Sequence, residues 1–335
     1  MAGGLTYTAV DSTKLATAEY YGKALCELGE QHPGIVALTA DLAKSTKIGM
    51  FGEKFPDRFF NVGIAEQNMI SMAAGFAKAG CVPFVSAFSV FTSLRAADQT
   101  HANLCYQNAN VKIIATHGGT SFGQAGSTHH AIVDFALERA FPNMTLICPA
   151  DGMETVNAVR AAYETPGPFY IRINRGFDRV VYETSDYGFE LGKAHEMRAG
   201  TDVTIIACGS CVFTATQAAD FLKSSDGLSV RVLNMHTLKP LDVEAIQKAI
   251  TDTRRIITVE DHSIIGGLGS AVAEVMADFG KGCAFKRLGW EGFSTIGLHE
   301  DLMNIAKIDS NGIIETVREV MNKDFEQDDD WNDEV

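Results

Sequence analysis

Several things are scarce or missing in this chain of 335 residues. No run of about 18 or more apolar residues occurs, so no membrane-spanning helix is expected. The start, Met1 to Thr8, lacks the basic and apolar regions of a signal peptide, which points to a cytoplasmic protein. Basic residues are outnumbered, 28 Lys and Arg against 42 Asp and Glu. The resulting net charge of -14 argues against general affinity for nucleic acid, because phosphate neutralisation needs cations. Half of that excess lies in residues 324–335, which hold seven acids and no base and are expected to form a solvated, mobile tail. The seven cysteines are odd in number and follow no framework spacing, so free thiols are expected. Cys208-Gly-Ser-Cys211 has redox spacing, but no thioredoxin-like context surrounds it and no second Cys or His pair lies at zinc spacing. Packed thiols at a strand–helix turn are the better reading. No repeat at solenoid spacing is visible.

What is present is globular: 46% apolar residues and 31 glycines, with enough length for two domains. Short apolar runs with β-branched residues (35–40, 82–88, 111–116, 144–148 and 169–173), and a further strand expected at 58–62, alternate with helical patterns at 17–31, 67–78, 94–105, 132–140 and 153–163. After Arg175 the residues up to 200 show no clear period. The alternation then restarts, with strands expected at 203–207, 230–233, 255–259 and 284–288 and helices at 214–222, 243–250, 271–278 and 313–320. Strands that read as continuous apolar runs are buried on both faces. The expected fold class is therefore α/β, with two doubly wound, mostly parallel-sheet domains joined near residue 190, spanning 10–188 and 189–323.

Five stretches could carry chemistry. Glu66, in Asn61-Val-Gly-Ile-Ala-Glu66-Gln-Asn-Met69, sits where a strand gives way to a helix. Open α/β sheets bind ligands at that edge, although a first-turn carboxylate also simply complements a helix dipole. Phe88 and Phe91, three apart at a strand end, can clasp a flat heteroaromatic ring or be ordinary core rings. The polar, Gly-rich loop His117 to His130 is too long for turn chemistry alone, and its imidazoles can hydrogen-bond a hydroxylated substrate or shuttle protons. A metal site from His117, His129 and His130 is disfavoured because no carboxylate or thiolate follows at ligand spacing. Arg172 falls mid-strand and Arg175 at the strand exit, where it could fork onto a phosphate or carboxylate, or form a surface ion pair. Glu260-Asp-His-Ser-Ile-Ile-Gly266-Gly267-Leu-Gly269 lacks the dinucleotide spacing and reads as a close strand-to-helix packing turn.

In this order the segments resemble the carboxyl-terminal half of transketolase. The matching elements are Thr39-Ala-Asp41-Leu, Arg58-Phe-Phe-Asn-Val-Gly-Ile-Ala-Glu66-Gln, Phe88-x-x-Phe91, Thr116-His117, Gly126-Ser-Thr-His129, Gly167-Pro168 leading to Arg175, and Gly209-Ser210. The resemblance spans residues 10 to 322 and implies a pyrimidine-binding domain followed by a transketolase C-terminal domain. It implies that Glu66 would hydrogen-bond the aminopyrimidine nitrogen of thiamine diphosphate and promote its imino tautomer. Phe88, Phe91 and Ile64 would contact that ring, and Asp41 would lie near the cofactor at a subunit contact. His117 and His129 would bind the ketose donor and its oxyanion, making them catalytic with Glu66. Arg175 and Ser45 would meet the distal phosphate of the sugar. The implied reaction moves a two-carbon ketol unit from a ketose to an aldehyde.

The family also carries a Gly-Asp-Gly segment and a following Asn for the diphosphate and its divalent metal, and no Gly-Asp-Gly occurs here. No metal ligand is therefore assigned to this chain. A separate amino-terminal subunit is expected to hold the diphosphate and Mg2+ or a similar ion, in an α2β2 heterotetramer. Two departures bear on substrate: Ala18 stands where the family usually has a phosphate-gripping Arg, and Ala125 where it has an Asp that helps select hydroxyl stereochemistry. They point to an unusual sugar with a different anionic end group. Alternatives are the β subunit of a 2-oxo acid dehydrogenase, a deoxyxylulose-phosphate-synthase-like subunit, or a non-catalytic scaffold. The Gly-x-Thr-His element favours the transketolase or synthase readings.

Overall fold

The computed structural model describes residues 5–9 and 14–322, so the acidic tail falls outside the described residues. A seven-stranded sheet organises the first half. In order across the sheet its strands are Thr237–Lys239, Thr145–Ile147, Phe169–Arg172, Lys112–Thr116, Val82–Phe88, Ile35–Thr39 and Phe59–Asn61. All pairings are parallel except that of Thr237–Lys239. A second sheet runs Ala284–Trp290, Arg255–Ser263, Val203–Ala207, Val230–Asn234 and His195–Arg198, with only the last strand antiparallel. The expected α/β class with mostly parallel sheets is what the chain adopts.

The apolar runs explain the layering. Along Ile35–Thr39 every residue is buried, and alternate residues enter different clusters: Val36 and Leu38 face one helical layer, Ile35 and Ala37 the other. Ile113 and Ala115 oppose Ile114 in the same way. A strand enclosed on both faces has no polar side, hence the unbroken apolar run. The first of these clusters continues into Ile206, Leu233, Met235 and Ile246 of the second half, so one apolar core runs between the two sheets. Among the described residues no helix is long and apolar enough to cross a membrane.

Three features were not anticipated. Residues 176–200, which show no period, supply Phe177–Arg179, paired antiparallel with Lys14–Ala16, and the edge strand His195–Arg198. The chain also returns from the second half to add Thr237–Lys239 to the first sheet. These strands are three or four residues long, too short for a periodic signal. Thirdly, the helix expected at 94–105 is instead two π-turns, Phe91–Arg95 and Thr100–Cys105, around a short α segment, Ala97–Gln99. In the first of these the Ser93 hydroxyl donates to Ser89 O at 2.7 Å and that of Thr92 at 3.1 Å, and such back-bonding competes with the regular ladder.

Candidate active site

Parallel strands all leave a sheet at the same edge. Here the chain winds in opposite directions from Ile35–Thr39 and Val82–Phe88, so their carboxyl ends form a topological switch point, where folds of this class bind ligands. Glu66 begins the helix Glu66–Lys78, whose Met69, Ile70 and Ala73 pack into the core. Positions three, four and seven along share its face, so the period that buries those residues also turns Glu66 inward. Its side chain is only 4% exposed. Arg95 Nη1 meets both carboxylate oxygens, at 3.3 and 3.4 Å. The Arg95 guanidinium in turn lies 3.9 Å from the centre of the Phe91 ring.

Phe88 closes its strand, pairs in register with Thr116, and so lies beside His117. Its ring centre is 3.9 Å from that of His117 and 5.6 Å from that of Phe91, with which it stacks at 28°. Phe122 sets its edge against Phe88, His117 and His129, at 5.3, 4.7 and 5.7 Å. The Arg175 guanidinium lies 5.3 Å from the Phe122 ring. Burial, reinforced by Arg175, lowers the His117 pKa to about 3, so its imidazole is neutral near pH 7 and can donate or accept but carries no charge. Thr116 Oγ1 lies 2.9 Å from its Nδ1. Asp41 and His117 both follow strands with positive φ, each at 59°, a conformation costly for residues with a Cβ.

The structure thus brings Phe88, Phe91, His117 and His129 into one aromatic cluster, with Glu66 joined through Arg95 and Arg175 through Phe122. Asp41 lies on the same strand edge, tied through its backbone N–H to Asn61 Oδ1 at 3.0 Å. Leu42 packs against the cluster, while Ser45 is exposed on the short helix Ala43–Thr46. Ile64, expected to border Glu66 and the ring, is 76% exposed in this chain and does not shield the carboxylate. The preceding Gly63, at φ +74°, turns the chain outward there.

Sequence reasoning missed Arg95 and Phe122. Arg95 carried no signal of its own, and it meets Glu66 from the end of the π-turn Phe91–Arg95. Phe122 had no periodic signal in its Gly-rich loop. That loop is fastened from the second half: Asp261 Oδ2 accepts from Thr120 N at 2.7 Å, and Ser294 Oγ lies 2.6 Å from His130 Nδ1. His130 therefore braces the loop from within the protein. Arg172 ends its strand and does not fall mid-strand as expected. It is buried, donating to Asp134 Oδ1 at 3.2 Å and Asp261 O at 2.7 Å. Gly118 and Gly119 have no room for a side chain: a Cβ would lie 2.5 Å from Arg172 Nε and 2.2 Å from Asp261 Oδ2 respectively. A cavity of about 270 Å³ lies apart from the cluster, lined by Asp178, Ser210, Phe213, His299 and Met303 among others.

Residues 13–177 match the transketolase pyrimidine-binding domain, and residues 192–313 the transketolase C-terminal domain. A transketolase-like C-terminal section from Methanocaldococcus jannaschii is 42% identical over 91% of this chain and 96% of its own. A subunit of the apulose-4-phosphate transketolase from Phocaeicola vulgatus is 41% identical over 79% of this chain and 84% of its own. A 1-deoxy-D-xylulose-5-phosphate synthase from Desulfitobacterium hafniense is 38% identical over 82% of this chain but only 43% of its own length. Among solved structures, a split-gene transketolase described as an inactive β4 tetramer superposes with a TM-score of 0.83 at 40% identity, covering 92% of this chain and 98% of its own.

Proposed function

The chain belongs to the transketolase family, and on that premise we propose that it is the carboxyl-terminal subunit of a two-chain, thiamine-diphosphate-dependent transketolase. It would move a two-carbon ketol unit from a ketose to an aldehyde acceptor. Residues 10–188 would form the pyrimidine-binding domain and 189–323 the C-terminal domain. The observation that carries the reading is the buried Glu66 carboxylate near the stacked Phe88 and Phe91 rings, at the switch point of a parallel sheet. A carboxylate next to an aromatic platform fits the aminopyrimidine end of the cofactor. The diphosphate and its divalent ion, Mg2+ or similar, are assigned to a companion subunit, because the Gly-Asp-Gly segment is missing here.

When bound, the cofactor supplies the carbanion chemistry. Glu66 would hold or return a proton at the pyrimidine ring nitrogen. Phe88 and Phe91 would orient the ring and exclude water, with Ile64 added as a ring contact once the partner covers it. Neutral His117, with His129, would hydrogen-bond the ketose hydroxyls and developing oxyanion. Arg175 and Ser45 would meet the anionic end of the sugar, and Asp41 the subunit contact near the cofactor.

An α2β2 assembly is the expected active form. The inactive β4 state of the 40%-identical relative supports the expectation that this chain is silent alone. The test is to assay ketol transfer with thiamine diphosphate and magnesium, with and without the companion chain; full activity without it would refute the split site. Ala18 and Ala125 favour a substrate other than the usual pentose phosphates, and the apulose-4-phosphate relative makes apulose 4-phosphate worth including in the panel. A panel in which xylulose 5-phosphate and ribose 5-phosphate outperform every other pair would count against that choice. The synthase-type relative supports a second reading, in which pyruvate replaces the ketose donor. Release of carbon dioxide from pyruvate by the assembled enzyme would favour it.

A further inference from the structure

We propose that the Arg95 guanidinium is a built-in stand-in for the cofactor's aminopyrimidine ring. In the free subunit it fills the slot between Glu66 and Phe91, and cofactor binding has to displace it. This rests on the proposed function and goes beyond it by naming what occupies the ring site before the ring arrives.

The geometry has three parts. A guanidinium is flat, carries N–H donors in its plane and stacks on aromatic faces. Arg95 uses each property: its Nη1 donates toward both oxygens of Glu66, at 3.3 and 3.4 Å, and its centre lies 3.9 Å from the Phe91 ring centre. An aminopyrimidine recognised by the same carboxylate and the same ring needs that space. Next, the two partners differ in freedom. Glu66 is 4% exposed, whereas the Arg95 side chain is 50% exposed and can swing into water. Finally, the contacts sit at the long end of hydrogen bonding, so the pair is weak enough to yield to a ligand with better geometry.

The pairing has a purpose in the unassembled chain. Among the described residues Arg95 is the hydrogen-bonding partner of the Glu66 carboxylate. A carboxylate so buried without a partner destabilises the fold, and an uncovered Phe91 would be a sticky surface. The arginine covers both until the ring replaces it. Arg95 is accordingly a positioning residue that competes with the cofactor, not one that acts on substrate.

The experiment measures thiamine diphosphate binding by calorimetry, in the presence of magnesium, to the complex of this chain with its companion subunit. Melting temperatures of the free chain are taken alongside. The expected result for Arg95→Gln is cofactor affinity raised roughly three- to tenfold, since a weak, half-exposed ion pair and one cation–π contact no longer compete. Its free chain should melt at a lower temperature than wild type. Arg95→Lys, which keeps the charge but loses the flat fork, should give a smaller gain and serves if the first variant folds poorly. Unchanged or weakened cofactor affinity in folded variants would overturn the proposal. A wild-type complex that binds no thiamine diphosphate would overturn the functional reading and this inference with it, so the two failures are distinguishable.

Discussion

The two halves present nearly the same chemistry at the exit edges of their parallel sheets and use it in opposite ways. In the first half, Glu66, His117 and two phenylalanines meet at the strand exits, and among the described residues Glu66 is held by one long ion pair whose arginine is half-exposed. In the second half, Glu260-Asp261-His262 ends the strand Arg255–Ser263, and every one of these side chains is spoken for. Glu260 accepts from Leu268 N at 2.7 Å and Gly269 N at 2.8 Å, capping the helix that follows. Asp261 accepts from Thr120 and from Trp290 Nε1. His262 lies 2.7 Å from Ser263 O through Nδ1 and stacks on Phe135. Residue type does not separate a candidate site from a staple; how firmly each side chain is already held does. The glycines say the same: a Cβ at Gly267 would lie 1.9 Å from Glu260 Oε2, so the turn read as a packing device is one.

The sharpest way to break this contrast is to neutralise one acid from each edge. Glu66→Gln should lower turnover of the assembled enzyme about 10²- to 10⁴-fold while leaving the melting temperature close to wild type, as kinetics and thermal unfolding will show. Glu260→Ala should do the reverse. It strips two backbone donors of their acceptor and should cost about 3 kcal/mol of stability in denaturant unfolding, with turnover per folded molecule nearly unchanged. If both variants lost turnover equally per folded molecule, the contrast would fall.

A smaller effect comes from the joint between the halves. Gly119→Ala places a side chain at φ +53° and 2.2 Å from Asp261 Oδ2. It should cost about 2 kcal/mol and raise KM for the sugar, because the loop carrying His117 and His129 loses its fastening.

The smallest effect concerns pH. His117 and His262 both have pKa values lowered to about 3, chiefly by burial, against 6.5 in the unfolded chain. Below pH 6.5 the unfolded chain takes up protons that the folded chain refuses, so stability falls as pH drops from 6.5 toward 3. One unit into that window, at pH 5.5, each histidine should cost about 1 kcal/mol. Glu260 opposes this: burial raises its pKa from 4.5 to about 7, so its contribution is largest below 4.5 and declines as pH rises to 7. His262→Phe should therefore flatten the acid side of a denaturation-versus-pH curve, and Glu260→Gln should steepen it.

Much of the scaffold was legible from residue order. The helix Thr17–Gln31 and the strand Val82–Phe88 appear with the expected ends, because each carries a full period of apolar residues between clear breaks. Glu66, Phe88, Phe91 and the two histidines could be nominated because strand exits are where such folds keep their chemistry. Arg95, Phe122 and the Asp261 clasp were not legible. Arg95 meets Glu66 from the end of a π-turn, the Phe122 loop has no period, and Asp261 lies 141 residues from the Thr120 it holds.

By itself, then, residue order determined the class of fold and the family kinship and nominated the strand exits as the candidate site, since burial on two faces and punctuation by loops are local properties of pattern. Only the folded chain decided which acid keeps a free hand and which is bound into the frame, and what rests on Glu66 in the meantime. Those outcomes depend on contacts between distant segments, and no spacing along a chain encodes a distance across it.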